Sequence, residues 1–139
     1  MILAGTCYSF KSEVLRGIHA EGDTYRLALF RSSASIGPQT TSYSGQSGEV
    51  PNSGGYTMGG IVLSGFSVGL TGAIAFVDFS DAIWANATIT ANGGLVYNSS
   101  KSNRAVAVID FESEVVSTGG PFKVQFPAND AEHAFIALS

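Results

Sequence analysis

The chain has 139 residues, the length of one ordinary domain, enough to bury its own core without a disulfide or metal staple. Only 13% of residues are charged, the net charge is −4, and seven Lys and Arg are scattered from Lys11 to Lys123, which excludes a nucleic-acid binder, because phosphate contacts need clustered cations. An apolar share of 45% excludes a disordered chain, no run of about 18 apolar residues exists to span a membrane, and the lone Cys7 provides neither a disulfide nor a cysteine metal site.

Residues 8–19 carry the first period. Phe10, Val14, Leu15 and Ile18 read as one apolar stripe at helical spacing, with Lys11, Ser12, Glu13 and Arg16 opposite. The spacing predicts a helix over residues 9–20, capped by the Ser9 hydroxyl and ended by Gly17 and Gly22. A helix this short must dock on something to persist in water. Residues 24–31 predict a strand, with Tyr25, Leu27 and Leu29 on one face and Arg26, Ala28 and Phe30 on the other.

Residues 32–60 keep neither period. These 29 residues hold seven Gly and seven Ser, with Pro38 and Pro51. A structureless stretch of this length is uncommon inside a compact domain and usually functional. It is read as an extended arm that becomes ordered on a partner, gripping it through Tyr43, Val50 and Tyr56.

Beyond Gly60 the pattern predicts strands over residues 61–68, 73–79, 83–91, 95–97, 104–111, 122–126 and 134–138. Asn92-Gly93-Gly94 and residues 117–121 read as turns between them. In residues 84–91, Ala85, Ala87, Ile89 and Ala91 are expected on one face, with Trp84, Asn86, Thr88 and Thr90 opposite. The pattern predicts an all-β fold over residues 1–139: a single-domain β-sandwich, jelly-roll or immunoglobulin-like, with a short N-terminal amphipathic helix and a long arm.

No catalytic constellation stands out. The two histidines, His19 and His133, lie near opposite ends, no Gly-x-Ser-x-Gly elbow leads from a strand into a helix, and no phosphate-binding loop occurs. Asp110, Glu112 and Glu114 alternate and are expected on one strand face, as an edge meeting cations of a neighbour rather than as a cation site. Trp84 beside Asp81 is the only pairing that suits a sugar. No cofactor, metal or enzymatic activity is expected.

The order of segments is informative as a whole. Asp23-Thr24-Tyr25-Arg26-Leu27-Ala28-Leu29-Phe30 leads to the stretch ending Gly55-Tyr56-Thr57-Met58-Gly59-Gly60. Then come Trp84-Ala85-Asn86-Ala87-Thr88-Ile89-Thr90-Ala91, Tyr97-Asn98, Ala105-Val106-Ala107-Val108-Ile109-Asp110-Phe111, and Phe122, Val124, Phe126 and Pro127. From Phe10 to Leu138 this resembles the small virion proteins of tailed bacteriophages: capsid cement, decoration and minor structural proteins. Glu112-Ser113-Glu114 departs from that pattern, where Gly and small polar residues are expected. The resemblance implies a virion location after assembly in the host cytoplasm. The reading is a cement or decoration protein that clamps subunits of the major capsid protein, a homotrimer free of nucleic acid and membrane. Phe10, Leu15 and Ile18 of the helix and Tyr43, Val50 and Tyr56 of the arm are the expected partner-binding residues. A tail or fibre component and a carbohydrate-binding module are the alternatives.

Overall fold

The computed structural model describes residues 1–126 and 136–138. The elements in order are β1 (Gly5–Thr6), α1 (Tyr8–Leu15), β2 (Tyr25–Phe30), β3 (Ile61–Val62), β4 (Ser67–Thr71), β5 (Ile74–Asp78), β6 (Ala82–Asn98), a 3-10 turn (Ser99–Lys101), β7 (Arg104–Val124) and β8 (Ile136–Leu138). The fold is all-β with one short N-terminal helix. Strands β1-β7-β6-β2-β3 form one antiparallel sheet and β4-β5-β8 a second. His133 and the first two residues of the strand expected over 134–138 lie outside the described residues.

The spine is the β6–β7 hairpin, paired from Ala82↔Val124 to Asn98↔Arg104. Four expected strands are therefore two long ones. Asn92-Gly93-Gly94 does not turn. A Cβ on Gly93 would stand 2.4 Å from the Ile109 carbonyl oxygen, and one on Gly94 would stand 2.8 Å from Leu27 Cδ1. These glycines let neighbouring strands approach closely, the other reason a strand carries Gly. Residues 117–121 likewise stay in β7, where Gly119 takes φ +65° in a bulge.

Two further bulges redirect side chains. Between Trp84↔Phe122 and Ala87↔Gly120, β6 carries one residue more than β7. The alternation flips there, so Trp84 joins Ala87, Ile89 and Ala91 on the buried face instead of opposing them. Between Ala91↔Val115 and Gly93↔Asp110, four residues of β7 (111–114) face Asn92 alone. Glu112 sits in this excursion at φ +67°, and its N–H bonds to Asp110 Oδ1 at 2.8 Å. The expected alternation of Asp110, Glu112 and Glu114 on one strand face is broken.

The helix runs over Tyr8–Leu15 rather than 9–20. It starts early because the Cys7 N–H bonds to the Val106 carbonyl and the Tyr8 N–H to that of Pro38. Ser9 does not cap it; its hydroxyl is buried with no hydrogen-bond partner. The helix stops early because Gly17 takes φ +73°, while the Gly17 N–H reaches Val14 O and the Ile18 N–H reaches Glu13 O. This is a Schellman end. Phe10, Glu13 and Val14 face inward. At about 100° per residue Leu15 is rotated roughly 140° from Phe10, and it stands 89% exposed instead of completing the stripe.

Residues 32–60 pack on their own domain rather than reaching out as an arm. The Arg31 N–H bonds to Gly48 O and the Val50 N–H to Leu29 O, extending the end of β2. The Ala105 N–H takes Thr41 O, and the Thr88 N–H takes Gly54 O at 2.7 Å. Glycine is enforced at Gly60, where φ is +85° and a Cβ would lie 1.8 Å from Leu27 O. Tyr25, Phe66, Phe79 and Phe126 pack ring on ring, with successive centroids 5.1–5.6 Å apart. These contacts tie the segments flanking the small sheet to β2.

Candidate functional site

The six expected partner-binding residues separate into two groups. Phe10, Val50 and Tyr56 are buried in the chain's own core, so this conformation does not offer them to a partner. Leu15 is fully presented to solvent, while Ile18 and Tyr43 are half-buried. Tyr43 stacks on Tyr97 with centroids 4.5 Å apart and planes at 11°.

The arm residues converge on one carboxylate. Glu49 accepts from Tyr43 Oη at 2.7 Å, from Tyr56 Oη at 2.6 Å and from the Gly59 N–H at 2.8 Å. Tyr56 Oη also accepts from the Leu29 N–H at 3.0 Å, and Tyr97 Oη donates to Gly59 O. Burial, then the neighbouring Glu49 carboxylate, push the Tyr43 and Tyr56 phenols above the usual tyrosine range. The cluster holds residues 43–60 to the sheet, each hydroxyl remaining a donor.

A second polar chain joins the N-terminal segment to the hairpin. Arg104 Nη1 donates to Glu13 Oε2 at 2.8 Å, and His19 Nε2 lies 2.9 Å from Glu13 Oε1. Asn98 Nδ2 donates to Asp23 Oδ2 at 2.8 Å and lies 3.0 Å from His19 Nδ1. Asn98 Oδ1 accepts from the Ser100 N–H, so the amide nitrogen faces the ring. The ring thus sits between the Asn98 amide and the Glu13 carboxylate. Lys101 Nζ closes the chain on both Asp23 oxygens and on Ile18 O. Burial raises the Asp23 carboxyl, but hydrogen bonds from Asn98, Lys101 and the Ala20 N–H, with the Lys101 charge, outweigh it and hold it below the usual range.

Sequence reading missed this chain because Glu13 was placed on the polar face of the helix. Its position three residues after Phe10 and next to Val14 was the available signal. The one thiol nearby does not supply a nucleophile: burial, then the Glu13 charge, push Cys7 up to about 12, and it is fully buried. Both carboxylates, the imidazole and the Asn98 amide of this network hold α1 and the following loop against Asn98–Arg104.

The sugar-binding arrangement does not form. Trp84 is 6% exposed and packs against Tyr56 and Phe122, and Asp81 pairs with Lys123 at 3.4 Å. Among the described residues, no three His, Cys, Asp or Glu side chains gather to hold a metal.

What remains chemically distinctive is the surface. Large apolar side chains stand exposed on several elements. Tyr8 and Leu15 lie on the outer side of α1, Val68 and Leu70 on β4, and Ile83, Val115 and Val116 on the far half of the β6–β7 hairpin. A concavity of about 270 Å³ opens on that half, lined by Ile109, Phe111, Val115, Phe122 and Val124 with Lys123 and Gln125. No family model, curated protein or solved structure matches the chain.

Proposed function

We propose that the chain is a structural subunit of a tailed-phage virion: a capsid cement or decoration protein that clamps neighbouring shell subunits as a homotrimer, without catalytic turnover. The observation that carries the reading is the presence of exposed large apolar side chains on α1, β4 and the β6–β7 hairpin of a chain in which only 13% of residues are charged. A sparsely charged surface that presents such side chains suits cover by other subunits in an assembly. The order of sequence segments supports the phage virion as that assembly. Binding to the mature shell alone would stabilise it by mass action.

The test is fractionation of purified virions into heads and tails, with this chain quantified by mass spectrometry in each. Recovery at stoichiometric level on heads is expected, together with earlier thermal rupture of heads stripped of it. Recovery on tails alone would make it a tail component, and absence from both would overturn the virion reading.

A further inference from the structure

We propose that two copies of this chain pair edge to edge through β4, antiparallel about a two-fold axis, with Leu70 of each copy set beside an apolar pocket of the other. The inference goes beyond the preceding reading and does not rest on it, since a two-fold contact is separate from the three-fold contact of a homotrimer.

β4 is an outer strand of the smaller sheet among the described residues. The chain guards the outer edge of β7 and leaves this one open. Beyond Val108, β7 has no outer neighbour among the described residues, and there it carries Glu112, Glu114, the bulge at Gly119, Pro121 and Lys123. Charges, proline and bulges are the devices that keep an edge from pairing with another chain. Residues 61–77 hold no charged residue and no proline, and β4 pairs with β5 without a register shift from Ser67↔Asp78 to Thr71↔Ile74.

Register decides which backbone groups lie at the open edge. Gly72 and Ala73 form a two-residue turn, with Gly72 at φ +58°, so the closing pair Thr71↔Ile74 is hydrogen-bonded. Bonded and non-bonded pairs alternate along an antiparallel ladder. Gly69↔Phe76 is therefore bonded, while Val68 and Leu70 direct their N–H and C=O away from β5. A second β4 laid antiparallel, with Gly69 opposite Gly69, sets Val68 of each copy against Leu70 of the other. The outward residues thus map onto one another, and four backbone hydrogen bonds form with every outward group of the two residues used.

The side chains agree with the same register. Val68, 63% exposed, and Leu70, 72% exposed, share a face of the sheet with Ala75 and Val77. An apolar pocket of about 210 Å³ includes Val68, Ala75 and Val77 in its lining; α1, Tyr25 and Phe66 supply further apolar walls, and His19 and Glu21 are its polar members. Leu70 of the second copy, opposite Val68, stands on that face beside the pocket, and the two-fold axis repeats the contact. An unguarded edge, an exposed leucine and an apolar pocket at its register partner are carried by one strand of each copy. Such an isologous contact closes on two copies and stops.

The test is sedimentation velocity combined with backbone amide exchange followed by NMR. Wild type should sediment as an even number of chains. Leu70→Lys places a charge on the edge at an exposed site, so it should keep the wild-type circular dichroism and lose the pairing, with self-association weakened roughly tenfold or more. Leu15→Asp, exposed on α1, should pair as wild type does, which separates the β4 contact from general apolar association. In the wild-type oligomer the Val68 and Leu70 N–H groups should exchange slowly and become fast on dilution, while the Gly69 N–H, bonded to β5, stays protected throughout. A monomeric or trimeric wild type would overturn the proposal, as would a Leu70→Lys variant as oligomeric as wild type or a Leu15→Asp variant equally impaired. Val68 and Leu70 amides that exchange alike in oligomer and monomer would overturn it without any variant. Because the readout is in solution, the pairing can fail while virion localisation stands, and localisation can fail while the pairing stands.

Discussion

Replacing Tyr56 by Phe isolates one hydroxyl. The ring stays, with its packing against Trp84 at a centroid distance of 6.1 Å, so no cavity forms. Two hydrogen bonds go: the one donated to Glu49 Oε2 at 2.6 Å and the one accepted from the Leu29 N–H at 3.0 Å. Tyr56 is 2% exposed, so water does not readily replace either. A hydrogen bond to a charged group contributes about 1.5–3 kcal/mol, and an orphaned buried N–H costs about 1–3 kcal/mol. The two effects overlap, giving a loss of about 3 kcal/mol. At roughly 3–4 °C per kcal/mol for a chain of this size, the melting temperature should fall by about 10 °C. Calorimetry measures this, and limited proteolysis should show faster cleavage within residues 32–60. The pH dependence gives a second check. The phenol is raised in the folded state, so its contribution is present below the ordinary tyrosine value near 10 and is lost as pH rises beyond it. The gap between wild type and variant should narrow in strong alkali. A fall of less than about 3 °C, with unchanged proteolysis, would refute the Glu49 clamp as the fastening of this segment.

Three further outcomes follow from the geometry. Cys7, buried and pushed up to about 12, should resist alkylation in the native protein at pH 8 and label fully in denaturant; stoichiometric native labelling within minutes would contradict its placement. Asp23 is held below its ordinary value, so its stabilising contribution is present above about pH 4 and lost as pH falls through the folded value; Asp23→Asn should be less stable than wild type at pH 7, with the difference shrinking in acid titrations. Trp84 should emit as a buried indole, resist iodide quenching and stay unchanged on adding oligosaccharides; a sugar-dependent shift would revive the carbohydrate reading.

The all-β architecture was legible because alternation and turn residues report sheet directly. Residues 25–30 form an apolar run broken only by Arg26 and preceded by the turn residue Asp23, and the pattern places that strand within one residue at each end. The long hairpin was hidden because glycine carries two meanings. At Gly93 and Gly94 it answers to neighbouring strands whose position no local window contains. Bulges hid the face of Trp84 for a similar reason: an extra residue at 85–86 reverses alternation without changing composition. The helix stripe was misjudged by one position, since Glu13 faces inward only because Arg104 and His19 meet it there. Of the expected contact residues, Leu15 is exposed. Phe10, Val50 and Tyr56 were apolar for the chain's own core, and composition alone does not separate a core anchor from an interface anchor.

The polar chain from Arg104 through Glu13, His19, Asn98 and Asp23 to Lys101 bridges separations of 75–91 residues. During synthesis the helix and the loop after it emerge before Asn98, Lys101 and Arg104, the residues of the hairpin that fix them in this polar chain. The strand over residues 25–30 waits for the same segment, since it pairs with residues 93–98. Residues made before Asn98 therefore lack the strand they must fold against, and their apolar segments remain available to chaperones or to other chains until the hairpin is complete. Closing loops of that length before any long-range contact forms makes folding slow. A truncation ending before Asn98 should be insoluble as a product, while the complete chain folds in one late, concerted step.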